Sequence, residues 1–126
     1  MGRLAVIAAV IVVLELPAST IAKTRQFQSP SGNIACLYSS TGGPGPFIRC
    51  DVLSLNDVGF FLKRHGKAKR LKVFDSVYSP HAKTLKYGHS RRFGRYTCKS
   101  RRSGLTCKNR RNGHGFKLSR ERQKLF

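Results

Sequence analysis

Arg95-Tyr96-Thr97-Cys98-Lys99-Ser100-Arg101-Arg102-Ser103-Gly104-Leu105-Thr106-Cys107-Lys108 is the stretch that decides the fold. Arg95 to Lys99 and Gly104 to Lys108 are strand-like runs. Arg101-Arg102-Ser103-Gly104 supplies a turn in which glycine is free to take a positive φ. Setting Cys98 opposite Cys107 leaves a turn of the right size, so the stretch reads as a β-hairpin closed by its own cysteines. A second unit of the same kind precedes it. Asn33 to Ser39 and Phe47 to Ser54 read as strands around Thr41-Gly42-Gly43-Pro44-Gly45-Pro46, a run that no helix tolerates.

Four cysteines allow three connectivities, and an even count in a short exported chain points to a disulfide framework. The pairing Cys36 with Cys50 and Cys98 with Cys107 is favoured because each bond then brackets one hairpin. Neither pair has the two-to-four-residue spacing that sets thiolates on one zinc ion, so no metal site is expected, and no cofactor motif is present.

Elsewhere the pattern is also β. Leu71 to Tyr78 is rich in β-branched and aromatic residues and stops at Ser79-Pro80; Thr84 to Tyr87 and Phe116 to Leu118 are shorter strands. Asp57 to Leu62 reads as a strand or a single helical turn, followed by a loop over Arg64 to Arg70. The charged tail from about Ser119 to Phe126 is expected to be loose. No repeat and no long helical period is present. The expected fold is all-β, a small antiparallel sheet or open barrel with loop-rich connections and disulfide-stapled hairpins.

Met1 to Ala22 read as a signal peptide, which leaves residues 23–126 as one basic β domain. Arg3 gives the positive start, Leu4 to Leu14 an apolar run of about eleven residues, and Pro17 ends it. Roughly twenty apolar residues are needed to cross a bilayer, so cleavage after Thr20-Ile21-Ala22 is expected and no integral span after it. Export to a periplasmic or extracellular space follows.

The chain carries 25 Lys and Arg against 5 Asp and Glu, a net charge of +20, and has no Trp. A domain this small buries a modest fraction of its surface, and like charges oppose its compaction, so the disulfides are expected to supply much of its stability. Lys63 to Lys72 and Arg91 to Lys124 hold most of the charge, with Phe93, Tyr96 and Phe116 interleaved. That is the composition of an anion-binding face. The candidate binding residues are Arg91, Arg92, Arg101, Arg102, Arg110, Arg111, Lys117 and Arg120.

Four separated stretches resemble an uncharacterised bacterial domain-of-unknown-function family of exported proteins. They are Phe27 to Cys36 with its Ser29-Pro30-Ser31-Gly32-Asn33-Ile34, then Arg49-Cys50-Asp51, then Leu85-Lys86-Tyr87-Gly88. The fourth joins Gly104-Leu105-Thr106-Cys107 to Gly113-His114-Gly115-Phe116-Lys117-Leu118-Ser119-Arg120. The resemblance implies export and no known activity. Members of that family carry a further cysteine pair and a tryptophan near the positions of Leu55, Val58 and Lys72, which this chain lacks. Two cysteines missing together implies that they pair with each other, which supports the hairpin connectivity for the remaining four.

Ser29 to Asn33 reads as a turn, with a backbone-amide anion nest as its functional alternative. A ribonuclease-like hydrolase would need a general acid and a general base, and His114 with His89 or Glu121, aided by Lys117 or Arg120, is a set that could supply them. The mature segment has no close pair of carboxylates and no ordering suited to acyl transfer, so catalysis is not the expected role. The expected role is non-catalytic binding of anionic polymers or a membrane surface in the envelope or outside the cell. Any nucleic-acid binding would be non-specific, through counterion release.

Overall fold

Cys36 faces Cys50 and Cys98 faces Cys107 across neighbouring antiparallel strands, with Cα–Cα distances of 4.1 Å in both pairs. Such close approach belongs to the non-hydrogen-bonded positions of an antiparallel ladder. These pairs fix the register around which two sheets form in a computed structural model, which describes residues 2–13, 23–41 and 45–126.

Among the described residues there are eleven strands and no helix. β1 (Thr24–Gln28), β2 (Ile34–Ser39), β3 (Phe47–Val52), β4 (Val58–Leu62), β5 (Lys69–Lys72) and β6 (Lys83–Thr84) form the first sheet, in the order β5-β4-β3-β2-β1-β6. β7 (Ser90–Phe93), β8 (Tyr96–Arg101), β9 (Gly104–Asn109), β10 (Gly115–Leu118) and β11 (Gln123–Leu125) form the second, in the order β11-β10-β9-β8-β7. Neighbours run antiparallel except β1 and β6, which are parallel. Neither sheet closes into a barrel. The expected all-β fold with two stapled hairpins is present.

The sheets meet face to face because alternate residues are apolar. Phe27 stacks on Phe93 at 4.9 Å, and Phe60 meets Phe116 at 6.5 Å. Both disulfides lie within this shared core. By loop entropy each contributes about 3 kcal/mol.

Several segments depart from the sequence expectation. Thr24–Gln28 and Ser90–Phe93 are strands with only Phe27 and Phe93 fully buried, so they show little alternation to read. Residues 69–72 form a strand, of which 69–70 were expected in the loop and 71–72 in the strand, and residues 73–82, expected as strand to Tyr78, form none. This segment instead crosses the outer face of the first sheet from β5 to β6, and its own Val73 and Val77 are buried. The tail is not loose: Gln123–Leu125 pairs with β10, and Phe126 exchanges backbone hydrogen bonds with Gly115 at 2.9 Å. Ladder hydrogen bonds and packing of Leu125 on the core outweigh the tail's charge.

The crossing is held by a charge cluster in which Arg49 and Asp51 are buried and the Asp75 side chain is exposed. Arg49 on β3 donates through Nε and Nη2 to Asp51 at 2.9 and 3.0 Å, and through Nη1 and Nη2 to Asp75 Oδ1 and O at 2.9 and 3.0 Å. The Val77 amide donates to Asp51 Oδ2 at 3.1 Å. Burial disfavours the Arg49 charge, yet the hydrogen bonds and attraction of the two aspartates outweigh it and hold its pKa above the usual value. Gly59 leaves room for the cluster, since a Cβ there would lie 2.9 Å from the Phe61 ring and 3.1 Å from Arg49 and Asp51.

Candidate anion-binding face

With Cys98 and Cys107 pointing into the core, the intervening residues of β8 and β9 must point out. Two cross-strand rows result. One runs Arg92, Thr97, Lys108; the other runs Ser90, Lys99, Thr106, Lys117. Together with Arg101 from the end of β8 and Arg110 from the β9–β10 turn, they line a shallow concavity of about 720 Å³.

The lining is six cations and three hydroxyls, with no carboxylate and no aromatic or aliphatic side chain. Along each row a hydroxyl separates the cations. Like charges directly opposite one another destabilise a sheet, and the hydroxyls set row neighbours two strands apart, roughly 9–10 Å. Only Lys117 and Lys124 stand directly opposed. Arg110 is fixed by its own chain: Nη1 donates to Tyr96 O and Thr97 Oγ1 at 2.8 Å, and Nη2 to Gly94 O at 2.5 Å. Among the described residues the ion pairs are those of Arg49, on the other sheet. Asp51, Asp57 and Asp75 all line one hollow there. The three aspartates therefore sit away from this face.

Four of the candidate residues, Arg92, Arg101, Arg110 and Lys117, share this face. Four do not. Arg91 alternates to the other side, its guanidinium 5.7 Å from the Phe93 ring beside Arg25 and Lys83. Arg111 is exposed in the β9–β10 turn. Arg102 lies 5.2 Å over the Tyr87 ring in the β8–β9 turn, and Arg120 adjoins it from the β10–β11 turn. Lys99 and Lys108 belong to the face and were missed as binding residues. Their parity with Cys98 and Cys107 was the signal that could have found them.

The acid–base set is not brought together. The Asn109 amide donates to His114 O at one end of β9, whereas Ser100, opposite Leu105 at the other end, donates to His89 O. Glu121 follows β10 at that same far end. Four residues of strand, roughly 13 Å, separate His114 from both partners. Ser29 to Asn33 is a turn whose amides are used internally. Gly32 donates to Ser29 O at 2.9 Å, Asn33 to Ser31 Oγ at 3.2 Å, and Ile34 to Ser29 Oγ at 3.1 Å. Gly32 holds the positive φ of 75° that the turn requires. Of the expected signal segment, residues 2–13 have no regular secondary structure, while Leu14 to Ala22, with Pro17 and the cleavage site, lie outside the described residues. Among the described residues no helix is long and apolar enough to cross a membrane.

Fold and face together define a small disulfide-stapled β protein of two facing sheets, one of which presents a continuous cationic surface. Residues 49–126 match the model of a family of unknown function, DUF6636, and the chain belongs to that family. No curated protein and no solved structure matches it.

Proposed function

We propose that the protein is an exported, non-catalytic binder of anionic polymers, and that it binds through the outer face of β7–β10. The observation that carries the reading is the lining of that face, six cations with no carboxylate among them. Keeping such a surface costs self-repulsion, which a bound polyanion relieves. Export rests on the order of Arg3, the apolar run and Pro17. Two core disulfides suit an oxidising compartment.

The test compares two triple variants of equal charge change. One neutralises the face, Lys99→Gln with Lys108→Gln and Lys117→Gln; the other removes three exposed lysines elsewhere, Lys67→Gln with Lys69→Gln and Lys86→Gln. Binding to a sulfated polysaccharide and to single-stranded RNA is measured over a salt series. The face variant should lose most of its affinity, and its RNA salt slope should fall by about 2, whereas the control should change little. Equal losses would mean that net charge alone governs binding. RNA cleavage on the same gels, abolished by His114→Ala, would replace this reading with a hydrolase.

A further inference from the structure

We propose that a second hollow, where turns of both sheets meet beyond the end of the face, is a discrete subsite for one anionic sugar unit, a hydroxyl-bearing ring with a carboxylate or phosphate. The hollow has a volume of about 180 Å³. At roughly 30 Å³ per water this is the space of about six water molecules, well below the roughly 300 Å³ at which pockets for drug-sized ligands begin. It suits a single ring better than a longer segment.

Its chemistry is mixed where that of the face is uniform. Arg101 reaches it from the end of β8 and Arg102 and Arg120 from the β8–β9 and β10–β11 turns, and among the described residues none of them is in an ion pair. Arg102 lies over the Tyr87 ring, a contact that favours one placement of its guanidinium. Guanidinium forks match a carboxylate or a phosphate. Glu121 also lines the hollow without an ion pair, and a carboxylate there repels a bare anion while accepting hydrogen bonds from hydroxyls.

Ser29 and Ser31 add donors. Their hydroxyls stand 3.2 Å apart and each accepts a backbone amide, so one of their two protons is spent between them and the other remains for a ligand. A ligand that carries an acid group and several ring hydroxyls offers acceptors to the guanidiniums and donors to Glu121 at separate positions, whereas hydrogenphosphate presents its single hydroxyl on the same centre as its charge. Arg101 lines the hollow and the face alike. A chain whose terminal unit sits in the hollow therefore has a path onto the face past Arg101. This continuity rests on the polyanion reading of the face, whereas the ligand preference of the hollow stands apart from it.

The experiment titrates the disulfide-bonded protein with glucuronate, glucose 6-phosphate, glucose and inorganic phosphate, followed by amide NMR. Glucuronate, glucose 6-phosphate or both should shift the amides of Ser31, Gly32, Arg102 and Glu121 saturably, at least tenfold more tightly than glucose or inorganic phosphate. Which acid sugar binds tells carboxylate from phosphate. Arg102→Gln with Arg120→Gln should weaken that binding at least tenfold, while the face variant, Lys99→Gln with Lys108→Gln and Lys117→Gln, should keep it. Equal saturation by inorganic phosphate, shifts confined to the face, or no shifts at all would overturn the subsite. Sugar binding without polymer binding would sink the face reading and leave the subsite standing. Polymer binding without sugar binding would do the reverse.

Discussion

The two sheets share one plan on the inside and diverge on the outside. Each is a run of hairpins with a cross-strand disulfide turned into the common core. Outside, the first sheet is roofed by residues 73–82, and its outward Arg49 is matched by Asp51 and Asp75. The second sheet is bare, and its outward cations have no acid partner among the described residues. The difference separates two uses of charge. On the first sheet a cation is buried and matched to complete the fold; on the second, cations stand in water, spaced by hydroxyls, where only an outside anion can match them.

Arg49→Met should break that comparison most strongly. Removing it strands Asp51 in a site where it is 5% exposed and frees the roof from β3. A lost partner of a buried pair costs roughly 3–5 kcal/mol, read as a fall in the denaturant midpoint. The roof should open as well, seen as faster hydrogen exchange at Val77, whose amide is bonded to Asp51. A loss under about 1 kcal/mol would mean that the pair behaves as a surface ion pair and that apolar packing holds the roof.

A smaller effect should appear at alkaline pH, where the sheets meet. Tyr96 is buried on β8 and donates its hydroxyl proton to Pro46 O, from the first-sheet side, at 2.6 Å. Burial pushes its pKa up to about 12 from 10.0. A raised pKa means that the folded state holds the proton longer than the unfolded chain. The stabilisation is thus complete below pH 10 and is lost as pH rises through about 12. Tyr96→Phe removes this dependence at the cost of one hydrogen bond, about 1 kcal/mol. The stability advantage of the native protein over Tyr96→Phe should be flat up to about pH 10. Above that it should shrink by about 1–2 kcal/mol, because water at the margin of the core screens part of the effect. An advantage that stays constant through pH 12 would place the hydroxyl in solvent-like surroundings.

Much of this plan was legible because cysteine parity is a strong constraint. Once Cys98 faces Cys107, Thr97, Lys99, Arg101, Thr106 and Lys108 have one side left to occupy. The edge strands were harder to read. Lys69–Lys72 is exposed throughout and Ser90–Phe93 nearly so; their cations guard open sheet edges and erase the alternation that marks a strand. Val73 and Val77 looked like part of a strand, since burial of a crossing segment against a sheet also selects β-branched residues. Arg49 and Asp51, two apart on β3, announce a shared face, but nothing local announces Asp75. The hollow at the turns joins Ser31, Tyr87, Arg102 and Arg120, which only the register of two sheets brings together.

The smallest effect is the one whose sign matters most. If the cations of the second sheet are kept for a partner, the fold does not need them, and removing them should help it. Lys99→Gln with Lys108→Gln and Lys117→Gln leaves no buried group unpaired, because Lys99 and Lys108 are exposed and Lys117 is half-buried. Relief of repulsion among close cations is worth a few tenths of a kcal/mol per residue at low salt. The midpoint of the face variant should therefore rise slightly in dilute buffer. The gain should vanish near 1 M salt, where the Debye length is about 3 Å. A fall in stability would mean that these side chains support the sheet, through their aliphatic stems or their neighbouring hydroxyls, and the contrast between the two faces would reduce to one of degree.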